Sequence, residues 1–153
     1  MHRKCGRGFT LIELIASITI IAILAAVALP RMTAATPFTE RGYADGVAAS
    51  LRQSRSVALA SGCDVQFTID AVGYRALQHG AGANNHCAAA GGWSTPVKRG
   101  DGQNLIELQP AGVTLAGNRQ VVFAADGSAS ASVTINLGPK VITVNTTGLV
   151  QGP

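Results

Sequence analysis

The chain has 153 residues, of which 47% are hydrophobic, 13% charged and 5% aromatic. This composition excludes a disordered protein, and the length excludes two full domains once a leader and a membrane segment are set aside. The net charge is +4, but three of the twelve basic residues lie in the first eight positions, so the rest of the chain is nearly neutral and gives little support to a nucleic-acid-binding protein.

The amino-terminal region divides into a short basic stretch and a long apolar one. The first eight residues, MHRKCGRG, are positively charged, and residues 9–29, FTLIELIASITIIAILAAVAL, contain Glu13 as their only charge. As a helix the apolar stretch is about 32 Å long, close to the ~30 Å hydrocarbon core of a bilayer. The basic residues before it predict a leader in the cytoplasm and a carboxyl-terminal domain on the other side of the membrane.

An ordinary secretory signal peptide is the alternative for this region, because Ala26-Val27-Ala28 offers a cleavage site. The apolar run, however, exceeds the usual ~7–15 residues, and a carboxylate costs about 2.5–3.5 kcal/mol at the membrane centre. If the chain is instead cut after Gly8, Phe9 gains a free amino group and Glu13 lies where the helix macrodipole favours a negative charge. Glu13 can then pair with the α-ammonium group of a neighbouring subunit.

The motif Gly8-Phe9-Thr10-Leu11-Ile12-Glu13 resembles the class III signal of type IV prepilins, including the pseudopilins of type II secretion. The position of Pro30, after an apolar helix of this length, also resembles that family. Pro30 is expected to end or kink the helix. The resemblance implies cleavage between Gly8 and Phe9 by a prepilin peptidase and N-methylation of Phe9. It also implies assembly through the helix of residues 9–29, with Glu13 as the assembly residue.

The remaining chain predicts one further helix followed by strands. Thr36-Pro37 starts an amphipathic helix that Gly62 ends, and its arginines are expected on a solvated face. Residues 79–104, rich in Gly, Ala and Asn, predict a long loop. Together these elements predict an α+β fold in which a long amino-terminal helix packs on an antiparallel sheet. The predicted strands are 63–69, 73–78, 105–109, 113–115, 119–124, 133–137 and 141–145.

Two further stretches, 51–63 and 120–130, resemble minor pilins of the GspH, FimT and MSHA types. The resemblance implies a structural subunit of a type IV pilus or of a type II secretion pseudopilus. Some FimT-like proteins are associated with DNA uptake through a Gly-Arg-x-Arg pattern, and the matching stretch here, 148–151, has neither arginine. A DNA- or substrate-binding minor pilin is the alternative function, with nucleic acid a doubtful partner.

The cysteines that survive cleavage predict a disulfide. Cys63 and Cys87 would lie on the oxidising side of the membrane, whereas Cys5 is lost with the leader. A metal site of Cys63, His79, His86 and Cys87 is conceivable, but this spacing matches no common zinc motif, so no metal is expected. No motif for catalysis or for phosphate binding is found, and we expect neither an enzyme nor a cofactor.

These observations divide the chain into a cleaved leader (1–8), a transmembrane and assembly helix (9–29), a junction with an amphipathic helix (30–61) and a β-rich domain (62–153). The expected partners are other pilin or pseudopilin subunits, a prepilin peptidase and the inner membrane. We expect a single-pass inner-membrane protein with a periplasmic domain that then enters a pilus or pseudopilus.

Overall fold

The computed structural model describes residues 10–33, 36–82, 86–88 and 91–153. Within these ranges the chain forms two helices and eight strands, and it divides into two compact units between Thr36 and Pro37. The predicted leader and Phe9 lie outside the described residues. The predicted α+β class is confirmed, because the helices precede strands that pair antiparallel throughout.

The first unit contains α1, Leu11–Thr33, and the second begins with α2, Thr36–Ser61. Of the two effects predicted for Pro30, an end or a kink, the helix does not end there, because α1 runs three residues beyond it. A proline removes one backbone donor but does not prevent the following residues from taking helical angles. Helix α2 begins at the predicted Thr36-Pro37 pair, and Gly62, at φ +65°, follows its end.

Helix α2 packs one face into the core of the globular unit. Ser50 and Ser54 are the two buried polar residues on this face, and the Ser54 hydroxyl donates to the Ser50 carbonyl at 2.8 Å. That bond satisfies a polar group that the core would otherwise leave unpaired. The apolar members of the face are Tyr43, Ala44, Val47, Ala48, Leu51 and Ala58.

A five-stranded sheet forms the larger part of the β structure. Its strands are β1 Val65–Ile69, β2 Gly73–His79, β3 Trp93–Pro96, β4 Ile106–Leu108 and β5 Arg119–Phe123. Strand β1 lies between β2 and β5, and the far edge of β2 pairs with β3 at one end and with β4 at the other. The carboxylate of Asp70 accepts bonds from the backbone N–H groups of Val72 and Gly73 and so fixes the turn between β1 and β2.

A separate three-stranded sheet follows, with β6 Val133–Leu137, β7 Lys140–Val144 and β8 Val150–Gln151 in that order. Alternate residues of both sheets are buried, as the period-two pattern predicts, and they join the buried face of α2 in one core. The largest buried side chains contributed by the strands are Phe67, Ile69, Tyr74, Phe123, Ile135, Leu137 and Ile142.

Two predictions for the strands are wrong. The predicted loop of residues 79–104 contains β3, because backbone pairing with the end of β2 orders a segment whose composition gives no strand signal. The predicted strand 113–115 is absent, and Leu115 forms only an isolated bridge to Leu137. The preceding Pro110 lacks a backbone donor, and Gly112 adopts φ +87°, which interrupts extended pairing.

Two tyrosines meet in the core, Tyr43 from the buried face of α2 and Tyr74 from β2. The rings of Tyr43 and Tyr74 lie 5.7 Å apart, and both side chains are almost fully buried. The Tyr74 hydroxyl donates to Glu107 at 2.7 Å, whereas the Tyr43 hydroxyl has no partner among the described residues. Burial raises the pKa of each tyrosine from 10.0 to about 12, with nearby Glu107 adding to the effect.

The predicted disulfide between Cys63 and Cys87 is present, with the two Cα atoms 6.0 Å apart. Cys63 lies two residues beyond the end of α2, and Cys87 lies in the segment between β2 and β3. The bond closes a loop with a sequence separation of 24 residues. In the loop-entropy model such a closure stabilises the folded state by roughly 3.5 kcal/mol as an upper guide.

The two tyrosines predict opposite mutational effects. Tyr74→Phe should lower the free energy of unfolding by about 1–2 kcal/mol, because it removes a hydrogen bond to a carboxylate. Tyr43→Phe should leave the stability unchanged or raise it, because it removes a buried hydroxyl without a partner. Urea unfolding at pH 7, followed by near-ultraviolet circular dichroism, measures both.

The pH dependence of the stability provides a second test of the same two variants. Since the tyrosine pKa is higher in the folded state, the stabilisation is complete below pH 10 and is lost as the pH rises through 10 to about 12. Tyr43→Phe should therefore lose stability less steeply than the wild type above pH 10. Equal losses at pH 7 for the two variants would contradict the assigned roles of the hydroxyls.

The disulfide predicts that Cys63 and Cys87 resist alkylation in the native protein and react after reduction. Reduction should also lower the free energy of unfolding by up to about 3.5 kcal/mol. Cys5 serves as an internal control, because an uncleaved chain retains it as a third, unpaired thiol that labels without reduction. Mass spectrometry of the alkylated peptides counts the labelled cysteines. Labelled Cys63 or Cys87 in a freshly isolated, non-reduced sample would contradict the presence of the disulfide.

Candidate functional site

The amino-terminal end of α1 is capped by a side chain. The backbone N–H of Glu13 donates to the Thr10 hydroxyl at 3.3 Å, and the N–H of Leu14 donates to the Thr10 carbonyl at 3.2 Å. Thr10 is thus the N-cap, and Glu13 is the third helical residue, the spacing of a capping box. The carboxylate therefore lies in the first turn, where the unpaired N–H groups and the helix dipole favour negative charge.

Among the polar residues of α1 whose side chains are described, Glu13 differs from Ser17 and Thr19 in having no internal side-chain partner. Ser17 donates to the Glu13 carbonyl at 2.7 Å, and Thr19 donates to the Ala16 carbonyl at 2.9 Å. Both hydroxyls are therefore satisfied within the helix and are tolerated in an apolar medium. In the described part of the chain, no residue donates a hydrogen bond to the Glu13 carboxylate or forms an ion pair with it.

Over residues 11–25, where the side chains are described, large apolar side chains are exposed on every side of α1. A helix of this kind is not an amphipathic surface helix, and it requires burial in a larger assembly or in lipid. Among the residues that the structure describes, however, no helix meets the length and hydropathy needed to cross a bilayer. The exposed large apolar residues are Leu11, Ile12, Leu14, Ile15, Ile18, Ile20, Ile21, Ile23 and Leu24, with exposed fractions of 44–77%.

The predicted processing residues cannot be placed in this geometry. Gly8 and Phe9 both lie outside the described residues, so the structure contributes nothing on the bond between them. Thr10 and Glu13 are the members of the predicted motif whose contacts are described. The capping function of Thr10 was missed by the sequence reasoning, although the Thr-x-x-Glu spacing is a recognisable signal for it.

Arg55 of α2 fastens two turns of the globular unit. Its Nε donates to the Gly127 carbonyl at 2.9 Å, and one terminal nitrogen donates to the Thr147 carbonyl at 3.3 Å. Gly148, at φ +76°, packs so closely that an added Cβ would overlap the Gly127 carbonyl oxygen. The expectation of a solvated arginine face is therefore wrong for Arg55, which is half-buried and holds backbone carbonyls.

A pocket of about 370 Å³ lies beside this contact. Its walls combine the two arginines with an apolar side formed by Leu59 and the carboxyl-terminal segment. A terminal nitrogen of Arg52 also donates a hydrogen bond to the Gly152 carbonyl at 3.2 Å. Because the guanidinium groups already bind carbonyls, this pocket does not by itself favour a phosphate-binding function. The lining residues are Arg52, Arg55, Ser56, Leu59, Gly148, Leu149 and Val150.

A second group of chemically active side chains surrounds the disulfide. His86 Nδ1 lies 3.3 Å from Cys87 Sγ and 3.8 Å from Cys63 Sγ. His79, which the sequence considered together with these residues, instead stacks on Trp93 with ring centroids 3.8 Å apart. The structure thus brings Cys63, His86 and Cys87 together and leaves His79 outside the group.

Two family models match the chain. Residues 3–29 match the prokaryotic N-terminal methylation motif, and residues 43–148 match the family described as type II transport protein GspH. No curated protein sequence matches the chain.

Two crystal forms of the type IV minor pilin FimU from Pseudomonas aeruginosa strain PAO1 are similar in structure. One is 15% identical in sequence with a TM-score of 0.49, over 74% of this chain and 91% of FimU. The other is 21% identical with a TM-score of 0.49, over 76% of this chain and 92% of FimU. The GspH match alone covers more than two thirds of the chain. The chain therefore belongs to the GspH family of type II transport proteins.

Proposed function

We propose that this subunit enters its filament by placing α1 in an apolar bundle, where the Glu13 carboxylate pairs with the α-amino group of a neighbouring subunit. The observation that carries the proposal is an exposed apolar helix with one unpartnered carboxylate in its first turn. An apolar bundle removes the exposed side chains from water, and the hydrophobic effect makes that burial favourable. In the same bundle an unpaired carboxylate is costly, so a partner of opposite charge is required.

The α-amino group becomes available only after cleavage. We infer that a prepilin peptidase cuts between Gly8 and Phe9, that Phe9 is then N-methylated, and that residues 9–29 anchor the uncut and cut forms in the inner membrane. The match to the N-terminal methylation motif over residues 3–29 supports this step. The basic leader supports a cytoplasmic amino terminus and therefore a periplasmic globular unit.

The subunit is proposed to act by packing, at the tip or during the initiation of a short filament, rather than by catalytic turnover. Other pilin or pseudopilin subunits are its partners through family membership. DNA binding is not proposed, because the arginines nearest to residues 148–151 donate to backbone carbonyls. In the described part of the molecule, no feature favours that alternative over assembly.

The proposed cleavage between Gly8 and Phe9 predicts the first residue of the mature protein. Intact-mass and peptide mass spectrometry of membrane-extracted protein should show Phe9 at the amino terminus with one added methyl group. A Gly8 substitution with a bulky residue, Gly8→Leu, should leave the leader attached, because the residue before the cut must fit the peptidase. A mature chain that begins at Leu29 would instead establish the ordinary signal peptide.

Assembly predicts a specific defect for Glu13→Ala. The variant should insert into the membrane and be cleaved, because removing a carboxylate makes the segment more apolar. It should enter filaments at least about a hundredfold less well, because an unpaired buried charge costs about 3–5 kcal/mol. The measurement is the amount of subunit in sheared filaments relative to the membrane fraction.

Ser17→Ala is the matched control, because it removes a polar group of the same helix that already has an internal partner. It should enter filaments as well as the wild type. If Glu13→Ala also assembles normally, the carboxylate is a passive feature of the helix and the proposed pairing is wrong. If both variants fail, the defect belongs to the helix in general rather than to the charge pair.

A further inference from the structure

We propose that Cys63, His86 and Cys87 form, when the two cysteines are reduced, a three-ligand site for a thiophilic divalent cation of the zinc class. The cation and the disulfide are then alternative cross-links of one loop, since each uses the same two sulfur atoms. This inference depends on the globular unit alone and is independent of how α1 assembles.

The distances from His86 Nδ1 to the two sulfurs are close to those of a zinc site. With Zn–S near 2.3 Å and Zn–N near 2.0–2.1 Å, sulfur and nitrogen ligands of a tetrahedral site lie about 3.6 Å apart. His86 Nδ1 lies 3.3 Å from one sulfur and 3.8 Å from the other, on either side of that value. After reduction the sulfurs must separate to about 3.8 Å, which rotation of the cysteine side chains about Cα–Cβ supplies.

The backbone keeps the ligands close independently of the disulfide. Cys87 forms an isolated β-bridge with Ala81, and the N–H of Ala88 donates to the Gly80 carbonyl at 2.9 Å. The N–H of Gly82 donates to the carbonyl of His86, which fixes the segment that carries the imidazole. None of these bonds involves sulfur, so reduction leaves the segment paired to the chain that continues β2.

Cys63 is fixed from the opposite side by the end of α2. Its N–H donates to the Ser61 hydroxyl at 3.3 Å, and Gln78 of β2 donates to the same hydroxyl at 2.8 Å. Cys63 is buried and Cys87 is half-buried, whereas His86 is exposed. A cation can therefore approach past the imidazole, and a water molecule can take the fourth position that three protein ligands leave open.

The charges and protons balance in both directions. Two thiols and one neutral imidazole bind Zn²⁺ with the release of two protons, and the two thiolates neutralise the charge of the ion. A phosphine reductant breaks the disulfide in the presence of water and yields the two thiols and a phosphine oxide. In the reverse direction a disulfide oxidant takes two electrons from the zinc-bound thiolates and two protons from water and becomes a dithiol, while the Cys63–Cys87 bond re-forms and the ion is released.

The test uses the full chain in detergent with Cys5→Ser, so that the leader contributes no third thiol. Zinc binding is measured by competition with a chromophoric chelator, before and after reduction with a phosphine. We expect one Zn²⁺ per chain after reduction and none before. Co²⁺ as a second probe should give a thiolate-to-cobalt charge-transfer band and the intense visible bands of tetrahedral coordination.

The variants separate this site from general binding by thiols or histidines. His86→Ala should weaken zinc binding of the reduced chain at least tenfold, whereas His79→Ala, outside the group, should leave it unchanged. Circular dichroism of the oxidised variants checks that each is folded. Equal zinc uptake by oxidised and reduced protein, or undiminished binding by reduced His86→Ala, would overturn the proposal.

Discussion

The globular unit depends on the packing of one face of α2 against two sheets that are separate hydrogen-bonded ladders. Small residues make this packing close: Ala44, Ala48 and Ala58 are all fully buried beneath the strands. The hydroxyl of Tyr74 lies 3.5 Å from the position that a Cβ on Gly46 would take. Large strand residues such as Phe67 and Phe123 then fill the space that the small helix residues leave. The core thus combines small side chains on the helix with large ones on the sheets, which is how interiors reach high packing density.

Arg55 complements this apolar packing at the surface end of the core. The residue lies on α2, and its partners Gly127 and Thr147 are 72 and 92 residues further along the chain. Both partners lie in or beside turns that need a left-handed glycine, Gly127 at φ +79° and Gly148 at φ +76°. The guanidinium group therefore gives these two carbonyls the hydrogen-bond donors that a neighbouring strand would provide within a sheet.

The sequence predicted those parts of the fold that depend on local patterns, and it missed those that depend on contacts between residues distant in sequence. Helix α2 and the strands β1, β2, β5, β6 and β7 repeat apolar residues at regular spacing, a local signal that survives without knowledge of the tertiary structure. Strand β3 has no such signal, because it is an exposed edge strand ordered by pairing to β2. The function of Arg55 was equally invisible, because it depends on two turns distant in sequence. Glu13 was recognised from its charge in an apolar run, whereas the grouping of His86 with the cysteines required the geometry of the loop.

The proposed assembly site rests on a polar group that has no partner among the described residues. In α1, the hydroxyls of Ser17 and Thr19 return to the helix backbone, and the carboxylate of Glu13 does not. Its position beside the first-turn N–H groups makes the charge tolerable at the helix end, but does not cancel it. In the proposed assembly this anion, at the end of an apolar helix, pairs with a cation supplied by another chain, because burial of an unpaired charge is unfavourable.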